Sequence, residues 1–240
     1  MKALSLIAMS ALLCASGLAA GMQKKDVDLK AQDGTILKAS YFSPGHPGPA
    51  ILLLHQCNMD RHAWDGLAQD LANAGFHVLT VDFRGFGESG GNHANRTAER
   101  EKWPADVDAA YAYLMDQKGV EKAHVAAGGA SCGVGQASDL STRHHEIRAL
   151  MLLSGGASDA AKTYLAASPG VAVFGAASEG DTNAAKGIKD LLAASKNPRS
   201  QLHIYPGTVH GAPMMAQNPD LEPSIISWLK TREMGTGGTE

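Results

Sequence analysis

The sequence has no surplus of positive charge: 21 Lys and Arg stand against 24 Asp and Glu, a formal charge of −3. A nucleic-acid footprint needs the opposite sign concentrated on one face, so that class is set aside. Cysteine is scarce, with three residues in 240. None stands in a zinc-binding spacing and no H-E-x-x-H occurs, so no metal is predicted. The glycine run after Asp82 is not followed by Lys-Ser/Thr, and a phosphate cradle is not predicted there. No apolar run is long enough for a comfortable membrane-spanning helix. Internal repeats, a linker and a second domain are likewise missing.

What is present reads as a globular chain, 44% hydrophobic and 19% charged. Its length suits one α/β domain with a large core. The first 21 residues differ in kind. Lys2 gives a short positive start, Leu4 to Leu13 is apolar, and Ala15 to Gly21 is rich in small residues. That is the pattern of a secretory signal peptide cleaved near Ala19 to Gly21. Cys14 follows Leu12 and Leu13 rather than small residues, which argues against a lipid anchor. The reading predicts a leader over 1–21, a single domain over 22–233 and a frayed tail over 234–240. The mature protein is expected in the periplasm or outside the cell, free of the membrane once the leader is removed.

Along the chain, Val27 to Lys30 and Thr35 to Phe42 alternate around Asp33-Gly34, an antiparallel hairpin. Ala50 to Leu54, His77 to Val81, Ala123 to Ala127, Ala149 to Leu153, Val171 to Phe174 and Leu202 to Tyr205 read as six further strands, the apolar runs as strands buried on both faces. Helical spacing or helix-start signals mark Arg61 to Ala74, Pro104 to Lys118, the stretch from Gln136, Ser158 to Ala167, Asn183 to Ala194 and Ser224 to Arg232. Strands alternating with helices predict a mostly parallel eight-stranded sheet covered on both faces. Only Ser154 to Gly170 separates the sixth strand from the seventh, so the strand ends there are expected to be open.

Between the fifth strand and its helix stands Gly128-Gly129-Ala130-Ser131-Cys132-Gly133-Val134-Gly135. Gly129 to Gly133 satisfies G-x-S-x-G in a strand-then-helix setting, the signature of a nucleophile elbow. Here the chain resembles the α/β-hydrolase superfamily, and more particularly its small, lidless dienelactone hydrolase-like serine enzymes. The resemblance implies the α/β-hydrolase fold without a lid domain, and a triad in the chain order serine, acid, histidine. Ser131 is then the nucleophile. His210, on Gly207-Thr208-Val209-His210-Gly211 after the last strand, is the base. Asp181, after the seventh strand, is the acid, with Glu179 and Asp159 as alternatives. The oxyanion donors fall on the amides of Cys132 and of Cys57 in His55-Gln56-Cys57-Asn58. There the superfamily has His-Gly-x, so Gln56 or its side chain is the other candidate. His55 is expected to brace this loop.

The same resemblance implies an esterase needing no metal or organic cofactor, with a small ester, lactone or thioester as its partner. Arg84-Gly85-Phe86-Gly87-Glu88-Ser89 matches a structural turn of the superfamily, in which Asp82 and Arg84 are expected to pair with one another. Dienelactone hydrolases proper use a cysteine nucleophile, which makes Cys132 a rival to Ser131. Placing it at the centre of the motif loses both flanking glycines. Cys57 and Cys132, as neighbours around one oxyanion in an oxidising compartment, are candidates for a disulfide. Met214 and Met215 are expected as core filler, with a lining role in an acyl pocket open to them. Acyl transfer to an acceptor other than water, and a catalytically silent binding protein on the same fold, are the competing functions.

Overall fold

The computed structural model describes residues 21–233. The predicted leader up to residue 20 and the tail 234–240 lie outside the described residues. Eight strands form one sheet: β1 (Gln23–Lys30), β2 (Ile36–Ser43), β3 (Gly48–Leu54), β4 (His77–Val81), β5 (Val120–Ala130), β6 (Ile147–Leu153), β7 (Ala172–Ser178) and β8 (Gln201–Tyr205). Their order across the sheet is β1-β2-β4-β3-β5-β6-β7-β8. β1 and β2 form the predicted hairpin, β2 runs antiparallel to β4, and the remaining pairs are parallel.

The apolar runs give this sheet two buried faces. All seven residues of β3 are buried, and from Ala50 to Leu54 their alternation divides them between two cores. Leu52 and Leu54 lie in one core with Val107 of α3 (Trp103–Met115), Val134 of α4 (Cys132–Arg143) and Ile188 of α6 (Thr182–Ala194). Ile51 and Leu53 lie in the other core with Leu67 of α1 (Asp65–Asn73) and Ile225 of α8 (Leu221–Glu233). Leu52, Leu53 and Leu54 have no exposed area. Burying each contributes about 1.5–3 kcal/mol relative to leaving it in water. The predicted fold class is the observed one.

The departures are local. The helix predicted from Arg61 opens as a 3₁₀ turn, Arg61–Trp64, before α1 begins. The Arg61 amide and guanidinium are both drawn to Asp82, which fixes that turn. α2 (Arg96–Glu99) and α7 (Met214–Gln217) were not predicted, because four residues are too few to show a helical period. Between β6 and β7 the only regular element is α5 (Asp159–Ala167), N-capped by Ser158 Oγ accepting the Ala161 amide at 3.1 Å. Among the described residues no lid lies over the carboxyl ends of the strands.

Candidate active site

Ser131 stands at the turn from β5 into α4 with φ 52° and ψ −116°. A side chain disfavours this backbone, and such strain persists only where surrounding structure imposes it. Here the Ser131 amide donates to Leu153 O of β6 at 2.9 Å, and its carbonyl accepts the Val134 amide at 3.0 Å. The flanking glycines are steric requirements. A Cβ on Gly129 would collide with the Gly133 carbonyl, and a Cβ on Gly133 with the carbonyls of Leu54 and His55. α4 therefore starts at Cys132, earlier than the helix start read at Gln136, because close approach to β3 places glycines inside its first turns.

His210 follows β8 and Asp181 follows β7. The imidazole Nδ1 donates to Asp181 Oδ2 at 2.5 Å, which leaves Nε2 unused by this bond. Asp181 occupies the N-cap position of α6 yet does not cap it, its carboxylate being turned to His210 instead. The two loops are stitched together by Glu179 N to Tyr205 O and Gly180 N to Gly207 O, each 2.8 Å, and by Ser178 Oγ to Val209 O at 2.6 Å. Neither alternative acid reaches the histidine. Asp159 has a side chain 98% exposed and paired with Lys162, and Glu179 is an exposed residue contributing its amide to the loop link. Ser131, Asp181 and His210 line one open cavity of about 290 Å³, walled by Ser154, Gly155 and Ala184 among others.

The loop after β3 is built around His55. Fully buried, it accepts the Phe83 amide at Nε2 (3.0 Å) and donates from Nδ1 to Gln56 O (2.8 Å), which fixes the neutral tautomer. Burial holds its pKa below the ordinary histidine value. Gln56 is not turned toward the cavity as a donor. Its Oε1 accepts the Ala212 amide at 2.9 Å and its Nε2 donates to Asn58 at 2.7 Å. A Cβ on Gly211, whose φ is +74°, would strike that same Oε1. The residue that departs from His-Gly-x thus ties this loop to the His210 loop. Cys57 and Cys132 form a disulfide with Cα atoms 5.8 Å apart. In this state Cys132 carries no thiolate, which removes it as a rival nucleophile.

Asp82 and Arg84 do not pair with one another, contrary to the sequence reading. Asp82 is held by Arg61 through the amide and the guanidinium, and by the Glu88 amide. Arg84 binds Asp106 through two bonds of 2.6 Å and reaches Asp33 at 2.7 Å. Both residues lie past the end of β4, where no strand geometry aligns them, and each takes its partner from another element. Gly85 to Gly90 does spell G-x-G-x-x-G, but no helix opens there before Arg96 and Gly87 packs against the Asp82 carboxylate. Met214 is buried and its sulfur accepts from Ser154 Oγ, while Met215 lines a separate groove with Met59. Ser154 itself was missed. It shares the cavity with Ser131, has φ 53°, and begins Ser154-Gly155-Gly156, a small-residue run that signals close backbone approach. Among the described residues no three His, Cys, Asp or Glu side chains gather as a metal site.

The sequence matches the family model of the alpha/beta hydrolase fold over residues 49–227, and the chain belongs to that family. An uncharacterized protein of Mycobacterium tuberculosis is 34% identical over 121 residues, 50% of this chain and 41% of that one. The chain thus spans less than half the length of this curated relative. An esterase of Pyrococcus furiosus has a similar structure, with TM-score 0.69 and 18% identity, covering 89% of this chain and 94% of its own. A thermophilic esterase from Thermogutta terrifontis superposes with TM-score 0.62 at 17% identity, covering 87% and 99%. At such identities the likeness is one of fold.

Proposed function

We propose that the protein is an exported serine hydrolase of small carboxylic esters, lactones or thioesters. Ser131 Oγ attacks the carbonyl carbon while His210 Nε2 takes its proton, and Asp181 stabilises the imidazolium through Nδ1. The amides of Cys57 and Cys132 bind the oxyanion of the tetrahedral intermediate. Its collapse expels the alcohol, which receives the proton from His210, and leaves an acyl-Ser131. Water, deprotonated by His210, then attacks the ester and regenerates the serine.

The observation that carries this reading is the left-handed Ser131 between β5 and α4, on a cavity shared with a bonded His210–Asp181 pair. The esterases among the similar structures support the reaction class, and small walls at Gly155 and Ala184 favour compact acyl groups. The signal-peptide pattern of the leader supports export.

Fluorophosphonate labelling with peptide mass spectrometry tests the reading. An adduct on Ser131, absent in His210→Ala, is the expected result. An adduct on another residue, or none on protein with a cooperative unfolding transition, would overturn it.

A further inference from the structure

The Cys57–Cys132 disulfide joins the two residues whose amides the proposed reaction uses, and it continues the sheet beyond its last rung. β3 and β5 pair as far as Leu54 and Gly129. Each cysteine lies three residues further on, where ladder hydrogen bonds have ended. His55 and Gln56 are held by side-chain bonds, and the Met59 amide returns to Gln56 O at 3.1 Å. Among the described residues, none of these bonds involves the Cys57 backbone. Cys57 sits inside the turn that the Met59–Gln56 bond closes, and its sulfur, bonded to Cys132 and lying 3.6 Å from Arg100 Nη2, ties that turn to the start of α4.

Resting on the ester-hydrolase reading, we propose that this disulfide positions the oxyanion donors, so that turnover depends on the redox state of this one bond. The step is a two-electron exchange with a dithiol reductant. A reductant thiolate attacks one sulfur, the S–S bond breaks, and the mixed disulfide is resolved by the second reductant thiol. The protein gains two electrons and two protons as two cysteine thiols, and the reductant leaves as its disulfide.

Two consequences follow with the same sign. The Cys57 amide loses its tether, and an oxyanion hole works only while its donors are held in place. The freed sulfurs also stand where a thiolate is favoured, Cys132 in the first turn of the 12-residue α4 and Cys57 beside the Arg100 guanidinium. A thiolate there repels the negative charge that develops on the substrate oxygen. Stabilisation of the reduced form by Arg100 also makes the bond easier to open.

The test is a titration of the whole protein with reduced and oxidised dithiothreitol. Alkylation at Cys57 and Cys132 is read by mass spectrometry, and kcat, KM for p-nitrophenyl acetate and circular dichroism are taken from the same samples. Opening the bond is expected to lower kcat about tenfold or more while KM changes little and the dichroism stays constant. The reduced enzyme should fall further behind the oxidised one between about pH 6 and about pH 9, as thiolate forms. Arg100→Gln should shift the equilibrium toward the disulfide. An unchanged kcat at full reduction, or a loss that only tracks unfolding, overturns the proposal and leaves the ester-hydrolase reading standing. No turnover and no Ser131 labelling in either state overturns both.

Discussion

Gln56 and Gly211 offer a double-mutant cycle whose outcome follows from one contact. Gln56→Ala removes the acceptor of the Ala212 amide, and an orphaned buried amide costs about 1–3 kcal/mol. Gly211→Ala costs about 1–2 kcal/mol for its left-handed backbone, and about 1–3 kcal/mol more because the new methyl meets Gln56 Oε1. In the double variant that oxygen is gone and the second penalty lapses. The pair is therefore expected to be less destabilised than the sum by about 1 kcal/mol or more. Urea unfolding followed by circular dichroism measures all three; each kcal/mol moves the melting temperature about 2–4 °C in a domain of this size. Since His210 precedes Gly211, kcat should also fall in each variant, by about tenfold, through misplacement of the base. Additivity within about 0.5 kcal/mol would refute the contact between the two loops.

Ser131→Ala and His210→Ala should abolish measurable esterolysis, and Asp181→Asn should lower kcat about ten-thousandfold. Glu179→Gln and Asp159→Asn should leave it unchanged; a loss in either, measured with p-nitrophenyl acetate, would reassign the acid. Arg61→Met leaves the buried Asp82 carboxylate without its counter-charge, a loss of about 3–5 kcal/mol in urea unfolding. Lys38→Met, at an exposed pair with Asp28, should cost less than about 1 kcal/mol. Burial lowers the pKa of His55, so below the ordinary value of about 6.5 the unfolded chain binds a proton that the folded chain refuses. Its contribution is complete above that value and is lost as pH falls toward the folded pKa. The urea midpoint should drop between about pH 7 and about pH 5, and His55→Asn should flatten that slope.

What could be read in the sequence was what short-range pattern encodes. Ala50 to Leu54 and Ala149 to Leu153 are apolar throughout because both sheet faces are covered, and a buried parallel strand leaves that imprint. The amino-terminal half of β5 left none. Glu121, Lys122 and His124 are exposed and polar, and the continuous pairing of β5 with β3 and β6 begins only at Val125. The elbow was legible because its nucleophile and both its flanking glycines fall within five residues. The partners of Asp82 and Arg84 lie 21 and 22 residues away, chosen by where elements cross, and local spacing carries no record of that. Gln56 reaches a backbone amide 156 residues distant, a link visible only once the sheet has brought two strand ends together.

The short connection between β6 and β7, with α5 as its only regular element, has a kinetic meaning. An enzyme whose site closes must open again to release product, and that motion often sets its rate. Under the proposed reaction no such step is expected at Ser131, because no described segment closes over its cavity. Turnover should rise with substrate from the first molecule, without a lag and without the need for a lipid–water boundary to trigger it. In the proposed reaction water would reach the acyl carbon for the whole life of the acyl-enzyme, so competing acceptors would succeed only in proportion to their concentration and nucleophilicity. Under the proposed acyl-enzyme reaction, the shape of one connection thereby favours hydrolysis over transfer.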